Sequence, residues 1–370
     1  MEREFFKDWR VNVKNLIEDK KTLKYFLKIF NLEEYSKKIN WEAFDKVSRF
    51  YPFRITPYYL SVVIKSDSLF KVFFPSLKEI SEKNKYYGDD PLSEEVFKVD
   101  KRGGIIHKYR DRVLVILTDF CSNNCRYCNR KRLWRSHLEL RIDEIKKELN
   151  EYLTKNNEIK EVILSGGEPL IYENSILDDI IGFFYNKFQI DVIRIHTKLI
   201  SSLPQRFFDE EFIKILEKYR DKLWFYSHII HSDEITPYVE QATKIINSLG
   251  IYILNQAPII REVNDKKEVL KELIRKLLKN KIIPKNFYQL DPIDSTLHFM
   301  TDIDKTVELI SNVYRETTGL GWANYIIDLP KGKGKVPLPL SQIEKNKSLY
   351  RIKNFYGEVV DYNIFLDIYE

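Results

Sequence analysis

The spacing of hydrophobic and polar positions changes near residue 105. Before it, stretches such as "NVKNLIEDKKTLKYFLKIF" (12–30) and "SEKNKYYGDDPLSEEVF" (81–97) repeat apolar residues at helical spacing, broken by turn residues. Residues 1–105 therefore read as a mainly helical region. Within it "RFYPFRITPYYLSVV" (49–63) is aromatic and punctuated by proline, a packing surface with no visible chemistry. From Arg112 onward short β-branched runs alternate with amphipathic stretches. The runs are "RVLVILTD" (112–119), "EVILSGG" (161–167), "DVIRIHT" (191–197), "LWFYSHI" (223–229), "IYILNQAPI" (251–259), "NFYQLDP" (286–292) and "NYIIDLP" (324–330). Between most of them lie helical patterns such as "RIDEIKKELNEYL" and "KKEVLKELIRKLLKN". Alternating strand and helix predicts an α/β fold of parallel strands, and apolar strands flanked by helices predict a partial (βα) barrel. The expected division is 1–105 helical, 106–330 barrel, and 331–370 a loop and short tail.

Polar residues gather at the ends of these runs. Cysteines follow the first run, Gly166-Gly167-Glu168 the second and His196-Thr197-Lys198 the third. Ser227-His228, Asn255-Gln256, Asp291 and Asp328 mark the other four. In a parallel barrel such ends converge on one face, where active sites are built.

Composition adds exclusions. Charged residues make up 31% of the chain, and the net charge of +6 is spread through interleaved acids and bases, a solvated surface rather than a nucleic-acid stripe. No apolar run reaches the length of a membrane span, and the charged start "MEREFFKDWR" is unlike a signal peptide, so a cytoplasmic protein is expected. All 3 cysteines lie in "CSNNCRYC" (121–128), an odd, tight group unsuited to a disulfide framework. Structural zinc takes four ligands, and a fourth such as His107 has no partner at finger-like spacing. A four-iron cluster held by three thiolates keeps one iron open for something else.

Cys121-x3-Cys125-x2-Cys128, with the aromatic Tyr127, resembles the cluster motif of the radical S-adenosylmethionine (SAM) superfamily, and "SGGEPL" (165–170) is similar to its glycine-rich motif. The resemblance implies a [4Fe–4S] cluster whose open iron chelates SAM, with Gly166, Gly167 and Glu168 at the methionine end. A narrower resemblance spans most of the chain. "GGIIHKYRDRVLVILTDFC", "CRYCNRKR", "RIHTK", "HSDEIT", "NQAPIIREVND", "FYQLDPIDSTLHF" and "DLPKGKGKVPL" are similar to the lysine 2,3-aminomutase family, whose members add pyridoxal phosphate (PLP).

That resemblance implies roles residue by residue. Lys335 matches the lysine that carries PLP as a Schiff base. Lys108 and Arg112 match the basic pair for its phosphate, Tyr109 the adjacent aromatic and Gln256 a cofactor-site glutamine. Arg130 matches the guanidinium that holds the substrate carboxylate, and Asp291 and Asp328 the pair that holds the distal ammonium of lysine. His228, at a strand end, is either a SAM or PLP contact or a packed, hydrogen-bonded histidine. The implied activity is an isomerase moving the α-amino group of L-lysine to the β carbon through a 5′-deoxyadenosyl radical. An electron-donor protein such as a flavodoxin or ferredoxin is implied as partner. Arginine, another amino acid or a protein-bound lysine stay open as substrates, as does a passive iron–sulfur protein, and a homo-oligomer stays open as the assembly. Four residues depart from the family pattern: Lys331 and Lys333 replace glycines, and Met300 and Lys198 each replace an arginine; the tail after Lys335 is also short.

Overall fold

The computed structural model describes residues 2–81, 88–100, 103–135, 142–339, 343–346, 349–353 and 358–363. Its centre is a sheet of nine strands in which each pairs with the one before it. These are β1 Ile105–Tyr109, β2 Arg112–Thr118, β3 Glu161–Gly166, β4 Val192–Thr197, β5 Leu223–Ser227, β6 Tyr252–Ile259, β7 Ile282–Gln289, β8 Asn324–Leu329 and β9 Gly334–Pro337. From β2 to β8 every pairing is parallel. Helices Ile142–Lys155, Asn174–Tyr185, Glu210–Tyr219, Pro237–Ser248, Lys267–Lys279 and Ile303–Arg315 fill the six connections. This is the α/β partial barrel that the alternating pattern predicts.

The pattern missed the two edges. β1 and β9 are short antiparallel additions to β2 and β8, too brief and too polar to stand out as apolar runs. Side chains then bring the edges together. Lys108 of β1 forms an ion pair with Asp328 of β8 at 3.1 Å. The Lys335 backbone N–H on β9 donates to the Tyr109 hydroxyl on β1 at 3.0 Å. The sixth strand begins at Ile282, before the run read from 286, because Pro284 interrupts the reading. Pro284 pairs with Asn255 beside an irregularity in β6, where a missing N–H is tolerated. The segment expected to be only a loop and tail carries a three-stranded antiparallel sheet, β10 Ile343–Asn346, β11 Leu349–Lys353 and β12 Val359–Asn363.

Helices dominate the described residues before β1, as their periodicity predicts, although residues 82–87 of the stretch 81–97 lie outside the described residues. Side-chain caps fix several starts: Asn40 for Trp41–Val47, Thr56 for Pro57–Val63 and Ser66 for Asp67–Phe73. Their apolar faces share one buried core with the barrel, running from Trp9, Leu23 and Tyr59 to Val115, Ile195 and Phe225. Among the described residues no helix is long and apolar enough to cross a membrane.

Candidate active site

The strand ends open on a cavity of about 660 Å³. Its wall includes Cys121, Cys125 and Cys128 at one end and Lys335 at the other. The three thiols are free and only partly buried as residues.

The cysteine loop lies on a bed built by the helical region. Thr56 N–H donates to the Asn123 side-chain oxygen at 3.0 Å, Asn124 N–H to the Arg54 carbonyl at 2.9 Å and Arg126 N–H to the Val72 carbonyl at 2.8 Å. The Arg126 side chain is fully buried. It donates to the Tyr51 and Pro52 carbonyls and forms an ion pair with Glu79 at 2.6 Å. Lys131 meets the same Glu79 at 2.6 Å. Burial opposes ionisation of Glu79, but Arg126 and Lys131 outweigh it and hold the carboxyl below its usual range. The stretch 49–63, which shows no chemistry in sequence, thus supports the loop that carries the cysteines. A partial signal was available: Arg126, inside the cysteine motif, needs a buried anion if the loop is buried.

Above the loop, Tyr127 stacks on His228 with ring centroids 5.6 Å apart, and its hydroxyl meets His228 Nε2 at 3.0 Å. Burial and Lys198 hold the imidazole at about 3, so it is neutral. His228 is therefore packed and hydrogen-bonded, and it also faces the cavity. Lys198 reaches Glu234 at 2.5 Å and the His228 carbonyl at 2.8 Å. Glu168 is buried and pushed up to about 7 by that burial, although Thr197 Oγ1 and Lys198 N–H donate to it at 2.7 and 2.9 Å. The glycines before it have a structural reason of their own. A Cβ on Gly166 would stand 2.5 Å from the Thr118 carbonyl oxygen, and one on Gly167 2.2 Å from that of Phe120. The close approach expected toward SAM is thus made, on the Cβ side, by the chain's own backbone, which locks the turn after β3 against the start of the cysteine loop.

At the far end Lys335 sits directly across the β8–β9 ladder from Asp328. Its Nζ donates to the Tyr288 hydroxyl at 3.4 Å and lies 4.6 Å from that ring's centre. Burial pulls the amine down, but Tyr288, Asp328 and Tyr109 together raise it above the usual lysine range. Arg112 stacks over Tyr109 at 4.1 Å, and Lys108 lies 5.8 Å from the same ring. The irregularity in β6 falls between Asn255 and Gln256. Asn255 turns into the protein to bond Ser227 and Ile229, while Gln256 turns to the cavity and reaches His196 Nδ1 at 3.4 Å. His196 Nε2 is buried without a hydrogen-bond partner. Burial, with Arg194, Lys335 and Arg130 nearby, holds this imidazole neutral.

Between the two ends lie the groups predicted for a substrate. Arg130 forms a two-point fork with Glu94 at 2.7 and 3.1 Å. Burial raises Glu94, yet Arg130 and Arg132 bring it to about 2. Asp291, in the turn after β7, accepts from the Asn129 amide at 3.3 Å and is raised to about 7 by burial and by Asp328. Every site residue predicted from sequence lines this cavity. Sequence reasoning missed Tyr288, His196 and Glu94. "RIHTK" contained the second and "FYQLDPIDSTLHF" the first, each without an assigned role, while the third carries no motif signal outside the folded context. Met300 packs against the core, away from the cavity wall.

The residues fit three bound groups. Among the described residues no three His, Cys, Asp or Glu side chains converge as ligands of a single metal ion. Three cysteines lining one cavity suit the donor set of an iron–sulfur cluster. The partnerless His196 nitrogen and the Lys335 amine suit a polar aromatic aldehyde such as PLP. Space continuous between these ends suits SAM.

Comparison with known proteins agrees. The radical SAM superfamily matches residues 115–284. A protein of Aquifex aeolicus, provisionally named L-lysine 2,3-aminomutase, is 36% identical over 96% of this chain and 94% of its own. The L-lysine 2,3-aminomutase of Clostridium subterminale is 31% identical over 96% of this chain and 84% of its own. The glutamate 2,3-aminomutase of Clostridioides difficile is 28% identical over 96% of this chain and 82% of its own.

Proposed function

We propose, for a chain that belongs to the lysine 2,3-aminomutase family of the radical SAM superfamily, that it moves the α-amino group of L-lysine to the β carbon and forms β-lysine. The observation that carries this reading is the single cavity shared by the cysteine loop, Lys335 and the Asp291 and Asp328 carboxylates.

Cys121, Cys125 and Cys128 would hold the cluster, and Tyr127, His228, Glu168 and the backbone of Gly166 and Gly167 would hold SAM. PLP would take Lys335, Lys108, Tyr109, Arg112 and Gln256, with Tyr288 beside the lysine amine. When bound, the cluster and SAM supply a hydrogen-abstracting radical, and PLP supplies the carbonyl that captures the amine. The chain's own residues orient and enclose. Arg130 receives the substrate carboxylate as a planar fork. Asp291 and Asp328 receive the distal ammonium, which excludes an acidic side chain such as glutamate by like-charge repulsion. Lys108, paired with Asp328 at 3.1 Å, would free that carboxylate if it held the phosphate instead. The buried walls keep water from reactive species. An electron-donor protein such as a flavodoxin or ferredoxin and a cytoplasmic setting complete the proposal.

The test is anaerobic reconstitution with iron, sulfide and PLP, followed by reduction and addition of SAM and L-lysine. β-Lysine detected by mass spectrometry, and absent in Lys335→Ala and Cys125→Ser, supports the reading. Deoxyadenosine without β-lysine sinks the assignment to free lysine and directs the search to arginine and protein-bound lysine, whose cationic groups suit the same carboxylates.

A further inference from the structure

Arg130 has two hydrogen-bonding edges: a carboxylate grips one, and a single hydroxyl meets the other. Its Nε and Nη2 donate to the two oxygens of Glu94 at 3.1 and 2.7 Å, a side-on fork. Nη1, on the other edge, donates to the Ser165 hydroxyl at 3.4 Å on the cavity wall at the end of β3, a long bond that a carboxylate would replace. Glu94 is itself fixed from several sides. Arg132 donates to it at 3.0 Å. Its backbone N–H donates to Asp90 at 3.2 Å, and the left-handed Ser93 (φ 51°) turns the chain to present it.

The same short segment touches the opposite end of the site. Lys331 N–H donates to the Pro91 carbonyl at 2.8 Å. The Phe97 ring stands 2.6 Å from where a Cβ on Gly332 would be. Residues 90–97 thus strap the cavity from the arginine after the third cysteine to the loop that carries Lys335.

We infer that Glu94 is a positioning residue for substrate: it holds one edge of Arg130 so that the Nη1 edge faces the amino-acid carboxylate. This rests on the reading of Arg130 as the carboxylate's partner. A long guanidinium side chain loses rotamer freedom when it binds, and a fork made beforehand removes that loss from the binding step. A glutamine at 94 would present one acceptor and one donor to an edge that offers two donors, so the fork breaks.

Titration calorimetry on PLP-loaded, unreduced protein tests this without turnover. Two ligands are compared: L-lysine, and 1,5-diaminopentane, which lacks the carboxylate. Glu94→Gln is expected to weaken lysine about tenfold and to leave the diamine within about twofold. Glu94→Asp, which keeps the charge, recovers part of the loss and carries the same comparison if the amide variant fails to load PLP. Unchanged SAM affinity in the same variants reports an intact site, and a purely structural role would weaken both ligands alike. Equal loss for both ligands, no loss, or tighter lysine binding overturns the inference. If Arg130→Gln weakens lysine selectively and Glu94→Gln does not, the inference fails alone. If Arg130→Gln also leaves lysine unchanged, the reading of Arg130 fails with it.

Discussion

The two ends of the cavity are built by opposite means. The cysteine loop is clamped by a distant part of the chain through buried polar groups: Asn123, Asn124 and Arg126 reach back to residues 51–79, and Glu79 forms ion pairs with two buried cations. The Lys335 loop is an edge hairpin whose Lys331, Lys333 and Lys335 keep exposed surface, while the Lys335 amine itself turns to the cavity. A few bonds tie it down, from Lys331 to Pro91, Lys335 to Tyr109 and Leu338 to Tyr325. One end is rigid because its polar groups are costly to leave unpaired. The other leaves its lysine amine facing the cavity, as the proposed PLP site requires. A clamped cysteine loop and a lightly tied lysine hairpin would suit the proposed reaction, in which the cluster stays in place while the lysine exchanges partners.

Breaking the rigid end should produce the largest effect. Glu79→Gln leaves Arg126 and Lys131 facing a neutral amide in the interior. Removing one partner of a buried ion pair costs about 3–5 kcal/mol. A marked fall in the thermal unfolding midpoint is expected, together with less iron retained per chain after reconstitution. A variant with unchanged midpoint and iron content would mean that the bed under the cysteines is not what holds them.

The same contrast explains what the sequence shows and hides. The seven parallel strands are legible because each is an apolar run framed by turn residues, and they fall within a few residues of the patterned stretches. The cysteines are legible because their spacing is local. Lys335 stands out only through resemblance, since Lys331 and Lys333 are chemically alike. Glu94, Tyr288 and Glu79 are hidden for a physical reason: each acts through a partner brought close by folding, such as Glu79 with Arg126 from 47 residues further along. The edge strands β1 and β9 are hidden too, because pairing with β2 and β8 rather than their own pattern makes them strands.

At the adjustable end, Asp291 gives a pH signature. Burial and Asp328 raise its carboxyl to about 7, with Glu94 adding to the rise while Lys335 and the Asn129 amide oppose it. Below that pH the group is protonated and cannot pair with an ammonium. Lysine binding to PLP-loaded, unreduced protein should therefore tighten as pH rises, by up to about tenfold per unit below 7, and level off above it. Norleucine, which lacks the distal ammonium, should escape this dependence, and Asp291→Asn should flatten it. Equal slopes for lysine and norleucine would remove Asp291 from the ammonium site.

The smallest effect is expected at Lys331. Its backbone lies in the left-handed region at φ 56°, where a side chain is strained by about 1–2 kcal/mol and glycine is not. The family pattern places glycine there. Glycine, however, gains freedom in the unfolded chain worth about 0.5–1 kcal/mol, which opposes the relief. Lys331→Gly should therefore move the unfolding midpoint by only about 2 °C or less, toward stability. Its side chain is exposed, and its N–H bond to Pro91 survives the change. Borohydride trapping of PLP on Lys335 should likewise continue unchanged. A large loss of trapping would show that the Lys331 side chain, and not the hairpin backbone, holds this end of the site in register. The contrast between a clamped end and an adjustable one would then need a second clamp.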